Sequence, residues 1–144
     1  MELTSLEDVR RTLMSARVVA VLGAHHEAWR PAFYVPEYMR SVGSRILPVN
    51  PGLVGTTIWG EPVRASLTEL GVPVDVVDVF RRSDALRGHL TELLGMNPLP
   101  KVVWFQQGIR DDAVASELSA HGIDVIQDRC MLADHRRMGL GRIG

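Results

Sequence analysis

Short apolar segments rich in β-branched residues recur along the chain at Val18 to Leu22, Ile46 to Val49, Val74 to Phe80, Val102 to Phe105 and Ile123 to Ile126. Each is nearly continuous rather than alternating, which is how a parallel strand buried on both faces reads. Between them lie stretches with apolar positions at helical spacing, and strands alternating with helices predict an α/β fold: a mostly parallel sheet with helices on both faces. One domain over residues 1–144 accommodates the whole series, since a chain of this length buries roughly 70% of its unfolded surface around a single core. Internal repeats and low-complexity tracts are absent from the sequence.

The helical stretches carry their own punctuation. Leu6 to Met14 follows Thr4 and Ser5, either able to cap it, and is expected to cover a sheet edge. Phe33 to Val42 sets Phe33, Tyr34, Tyr38 and Met39 on one face, and Gly43 stands where a helix of that length ends. Ser83 is the expected cap of a helix from Asp84 to Leu94 striped by Leu86, Leu90, Leu93 and Leu94, with Gly95 and Pro98 to Pro100 stopping it. Asp111 and Asp112 favour the start of a helix running to His121, which Gly122 closes. Residues 51–65 show no helical face, and Ile58 to Val63 is expected to form a short extra strand.

In an open α/β sheet, ligands sit beyond the carboxyl ends of the strands, so the informative residues are those just after each apolar run. Here they are Gly23-Ala24-His25, Asn50-Pro51-Gly52, Phe80-Arg81-Arg82-Ser83, Gln106-Gln107-Gly108-Ile109 and Asp128-Arg129-Cys130. A glycine at a strand exit lets backbone N–H groups and the next helix N-terminus approach an anion. Small, amide and guanidinium groups on one rim suit a phosphorylated ligand. No pair of carboxylates or Ser/His/Asp set is spaced there for catalysis.

Charge sharpens this picture. Lys and Arg total 16 against 17 Asp and Glu, so no global field points to nucleic acid or an acidic membrane, and any anion must be held locally. The single cysteine, Cys130, precludes an intrachain disulfide and suits a reducing compartment. The acidic N-terminus lacks the basic and apolar parts of a secretion signal, and the apolar runs are too short to span a bilayer. A cytoplasmic protein, monomeric or homodimeric, is expected.

The type of nucleotide is narrowed by what is missing. An NAD site normally has an acid at the end of the second strand for the ribose diol, where this chain has Asn50, and G-x-G-x-x-G is reduced to Gly23. No P-loop occurs, and the sole lysine is Lys101.

The chain instead resembles the small stand-alone CoA-binding proteins, which are similar to the CoA-binding domain of the succinyl-CoA synthetase α subunit. The resemblance rests on Val-Leu-Gly at 21 to 23, Arg30-Pro31 with Tyr38, Pro48-Val49-Asn50-Pro51, Ser66-Leu67, the run from Val74 to Ser83, Trp104 with Gln106 to Ile109, and Asp128-Arg129-Cys130. It implies a Rossmann-like three-layer fold holding coenzyme A across the strand ends, with the glycine loop at the diphosphate. The family often has Ser where this chain has His25 and Ala32, and Tyr where it has Phe33, so altered affinity is expected. Nothing matches the synthetase's phosphohistidine segment, which argues against ligase activity.

On this reading Gly23, Ala24, His25, Arg30 and Pro31 surround the diphosphate. Asn50, Pro51, Phe80, Arg81 and Arg82 border the nucleotide, and Gln107, Gly108 and Ile109 lie towards the pantetheine. At least one of Arg81 and Arg82 is expected to touch phosphate through charge-assisted bonds, the alternative being a pair with Asp78 or Asp84. Asn50-Pro51 is either a reader of adenine or ribose, or plain turn chemistry. His25 is a candidate phosphate partner. His25-His26 is not expected to hold metal, because adjacent side chains in extended backbone point apart. Cys130 is a candidate for a mixed disulfide with the CoA thiol, or else a small buried hydrophobe. Trp29 is expected at the rim, with Trp59 and Trp104 packing inside. The expected function is CoA or acyl-CoA binding without catalysis of its own. The alternatives are a non-catalytic subunit of an acyl-CoA transferase or ligase, and an NAD-binding, redox-sensing module.

Overall fold

The computed structural model describes residues 1–144. In chain order it comprises α1 (Leu6–Met14), β1 (Val18–Leu22), α2 (Pro31–Ser41), β2 (Arg45–Val49), the short strands β3 (Thr57–Ile58) and β4 (Glu61–Pro62), β5 (Val76–Val79), α3 (Leu90–Leu94), β6 (Val102–Phe105), α4 (Asp112–Ala120), β7 (Asp124–Ile126) and α5 (Met131–Arg137). The main sheet runs β2-β1-β5-β6-β7 with every pairing parallel. The chain leaves β1 for β2 on one side and returns across β1 to β5 on the other, so strand order reverses between β1 and β5. Register then aligns the exits: Leu22 stands opposite both Val49 and Val79. Gly23, Asn50 and Phe80 therefore emerge on one rim.

Alternate residues of each strand feed two cores, giving the Rossmann-like three-layer fold. On one face Val19, Val21, Val76, Trp104 and Ile126 meet Val9 and Leu13 of α1, Val35 and Met39 of α2 and Met131 of α5. On the other, Ala20, Leu22, Val77, Val79, Val103 and Phe105 meet Leu86, Leu93 of α3, and Val114 and Leu118 of α4. Burying each such aliphatic side chain is worth about 1.5–3 kcal/mol, enough to hold both helical layers on the sheet.

Several local expectations are corrected. Helix α1 packs on a face rather than an edge, because the residues ahead of it extend the sheet: Leu3 N–H donates to the Val125 carbonyl at 2.7 Å and Val125 N–H to the Met1 carbonyl at 2.9 Å. Ser5 is its cap, the Oγ accepting from Asp8 N–H at 3.1 Å. Helix α2 starts earlier, at Pro31, where the missing N–H costs nothing. Its buried residues are Val35, Pro36 and Met39, leaving Tyr34 on the exposed side. Gly43, at φ +120°, follows its end as expected. Strand β5 is shorter than its apolar run, with Val74 and Phe80 outside it.

Ser83 caps nothing, because its Oγ accepts from Arg110 N–H at 2.9 Å. Residues Ser83–His89 form a 3₁₀ helix, weakened for α-helix by Gly88, and only Leu90–Leu94 is α-helical. Asp111 does cap α4, accepting from Val114 N–H at 3.0 Å. The extra strand near residue 58 is an antiparallel pair, Ile58 opposite Glu61. Helix α5 was not foreseen: the residues it buries are Met131, Asp134 and His135, so no apolar stripe announces it. No helix is long and apolar enough to cross a membrane.

Candidate functional site

An open cavity of about 750 Å³ lies beyond the strand ends at the order reversal. Its size is that of a site for a small molecule, roughly 300–1,000 Å³. Gly23, His25, Arg30 and Pro31 line it after β1, Asn50 after β2, Phe80, Arg81 and Arg82 after β5, and Gln107, Gly108 and Ile109 after β6. Two expected members stand outside. The Ala24 side chain is fully buried in the core beneath α2. Pro51 is exposed at the start of a 3₁₀ turn, Pro51–Leu53. Trp29, Ala32, Tyr34, Val35, Ser83, Gln106 and Cys130 complete the wall. Tyr34 and Val35 went unrecognised because starting α2 at Phe33 hid the wall formed by its first turn.

The glycine loop is built differently from expectation. Gly23 and Ala24 both donate their N–H groups to the Val49 carbonyl, at 3.0 and 3.2 Å, because the pairing of β1 with β2 runs one step past the strand end. Both N–H groups are thus engaged within the sheet. At the start of α2, Phe33 and Tyr34 N–H close on the Arg30 carbonyl at 2.9 and 3.0 Å, while Ala32 N–H has no backbone acceptor and Pro31 has no N–H. That leaves one donor at the positive end of an eleven-residue helix, beside the cavity.

The two adjacent arginines separate cleanly. Arg82 is 85% exposed and chelates Asp84, Nη2 to Oδ2 at 2.8 Å and Nε to Oδ1 at 3.2 Å, a hydrogen bond that raises its pKa further. Arg81 forms no ion pair, and its Nε is buried without a partner. Arg30 lies 4.5 Å over the Trp29 ring and 3.9 Å from Glu27. His25 Nδ1 accepts from Glu27 N–H at 3.1 Å, which puts the proton of the neutral ring on Nε2. Burial, and then the charge of Arg30, lower its pKa and favour the neutral ring, whose Nε2 stands 3.7 Å from Glu27 Oε1.

The rings of His25 and His26 stack at 4.9 Å, 11° apart, instead of pointing away from each other, because the segment is a loop and not extended strand. No three His, Cys, Asp or Glu side chains gather in an arrangement suited to a metal ion. Asn50 proves to be a clamp: Nδ2 donates to the Ala24 carbonyl at 2.8 Å and Oδ1 accepts from Gly52 N–H at 2.9 Å. Turn chemistry therefore claims its amide, tying the β2 exit to the β1 exit. At the far end, Gln106 Oε1 accepts from Met131 N–H at 3.2 Å and Asp128 Oδ1 from Gly108 N–H at 2.6 Å. Cys130 is half-buried between these contacts. Trp29 is 68% exposed at the rim, while Trp104 and Trp59 are buried.

The profile of the CoA binding domain family matches residues 17–136. The chain belongs to that family. The chain is also similar to the uncharacterized protein YneT of Bacillus subtilis (strain 168), 32% identical over 135 residues, 94% of this chain and 97% of that protein. The solved structure of cell-free ID.343 from Thermus thermophilus is 44% identical, covers 94% of this chain and 99% of its own, and superposes with a TM-score of 0.88. Prb, the PH1109 protein redesigned for binding, is 25% identical with a TM-score of 0.86, covering 96% and 94%. These two solved structures share the fold over 94% and 96% of the chain.

Proposed function

We propose that the chain binds coenzyme A or an acyl-CoA as a single domain and has no catalysis of its own. The observation that carries this is Arg81: a guanidinium without a carboxylate, its Nε buried and unpartnered, at the crevice where strand order reverses. A buried unmatched donor is costly unless a ligand completes it, and phosphate is the natural complement of a guanidinium. The neutral Nε2–H of His25 and the free Ala32 N–H add donors for the same anion. The diphosphate lies among these groups, beside Arg30 and Pro31. Asn50, Phe80 and Arg82 border the nucleotide, and the pantetheine runs towards Gln107, Gly108 and Ile109.

NAD is disfavoured, since the amide of Asn50 stands where an acid would hold the ribose diol and is already engaged. Thermal denaturation with added ligand tests the proposal. Coenzyme A at about a hundred times its Kd should stabilise the fold by about 2.7 kcal/mol. A larger effect of NAD would overturn the reading, as would no effect of coenzyme A.

A further inference from the structure

A second hollow of about 140 Å³ adjoins the main cavity, with Gln107 and Cys130 standing in the walls of both. Its other walls are mostly polar, from Asp128, Arg129, Asp134 and Arg137. The two carboxylates there already have donors. Asp134, 4% exposed, receives Arg129 Nε at 2.7 Å and Nη2 at 2.9 Å, while Asp128 accepts from Gly108 N–H. Arg137 is left over. Its one ion-pair contact is a long 3.8 Å from Nη1 to Asp134 Oδ1, an oxygen that Arg129 already engages, and its side chain is 74% exposed.

We propose that this hollow seats the acyl group of a bound thioester and selects short acyl chains that end in a carboxylate, with Arg137 as the carboxylate's partner. The inference rests on the reading that the main cavity holds coenzyme A with its pantetheine towards Gln107. The hollow, about 140 Å³, is small beside the main cavity and suits a short acyl group better than a long one. Chemistry selects its end. An apolar chain would strip water from Arg137 and Asp128 and return no hydrogen bond, whereas a carboxylate gives the guanidinium a charge-assisted, planar match.

Isothermal titration of the full chain with coenzyme A, malonyl-CoA, propionyl-CoA and octanoyl-CoA tests this. Malonyl and propionyl groups have the same number of carbons and differ in the terminal carboxylate. Malonyl-CoA should bind about fivefold more tightly than propionyl-CoA, the scale of a partly exposed ion pair. In Arg137→Gln that ratio should fall to about one, and in Arg137→Lys it should be partly restored. Equal affinities of the two thioesters in the wild type would overturn the inference. So would a ratio that survives Arg137→Gln, or octanoyl-CoA binding most tightly. A wild type that binds coenzyme A without this preference sinks only the acyl seat; one that does not bind coenzyme A at all sinks the parent reading as well.

Discussion

A Cβ built on Gly23 would stand 2.6 Å from the carbonyl oxygen of Phe80, so the paired exits of β1 and β5 run too close there for a side chain. The residue also holds φ at +89°, where an L side chain is strained. Both constraints lie in the backbone at the paired exits of β1 and β5, whatever ligand lies beyond them. The fold alone therefore requires a glycine at this position.

Gly23→Ala should therefore destabilise the unliganded protein by about 1–3 kcal/mol, the range for a strained backbone position. Urea denaturation without ligand is the direct measurement. Unchanged stability together with weakened coenzyme A binding would mean that the glycine serves the ligand's approach instead.

The strands were legible because burial on both faces leaves nearly continuous runs such as Val18 to Leu22 and Val102 to Phe105. Most of the cavity was legible too, since a parallel sheet delivers the residue after each strand to one rim. What remained hidden depends on partners distant in sequence. Ser83 looks like a cap until Arg110 N–H is seen to occupy its hydroxyl, and Gly23 N–H looks free until Val49 claims it. Helix α5 lacks an apolar stripe because its inward side chains include Asp134, bound to Arg129, and His135, which contacts the Tyr38 hydroxyl at 2.6 Å through Nδ1. Adjacent arginines are equivalent in sequence, and only the neighbours of Arg82 distinguish them.

That difference yields a paired experiment. Arg81→Ala should weaken coenzyme A by about 1–3 kcal/mol, the loss of a charge-assisted phosphate contact. Arg82→Ala, whose guanidinium is exposed and already paired with Asp84, should change affinity by less than about 0.5 kcal/mol. Titration calorimetry with coenzyme A and dephospho-CoA then locates the contact: a grip on the 3′-phosphate disappears with dephospho-CoA, and a grip on the diphosphate persists. The assignment fails if Arg82→Ala is the more damaging variant.

Asn50 offers a test between nucleotides. Asn50→Asp places a carboxylate where a ribose-binding acid would stand, but it turns the Nδ2 donation to the Ala24 carbonyl into a repulsion. Stability should fall by about 1–3 kcal/mol, as when a hydrogen bond between the two strand exits is lost, and no NAD binding should appear. Gain of NAD affinity in a variant as stable as the wild type would revive the dinucleotide reading.

Asp78 sits in mid-strand between Val21 of β1 and Trp104 of β6, fully buried, with both carboxylate oxygens lacking a hydrogen-bond partner. Burial raises its pKa well above the ordinary value of 3.8, so the fold favours the neutral acid. The sign follows from linkage. Its contribution is fully present below the unfolded-state value and is lost as pH climbs through the raised one, where keeping the native fold means holding either a proton or a buried charge. Asp78→Val fills the same place with an apolar side chain and should stabilise the protein at neutral pH by about 1–3 kcal/mol, the cost of an unsatisfied buried polar group. Asp78→Asn keeps the shape but cannot titrate, so its stability curve should lose the part of the decline that wild type shows as pH rises from 4 upward. Urea midpoints measured across that range decide the matter. A wild-type curve identical to that of Asp78→Asn, or an Asp78→Val variant less stable than wild type at neutral pH, would show that this carboxyl finds a partner in solution.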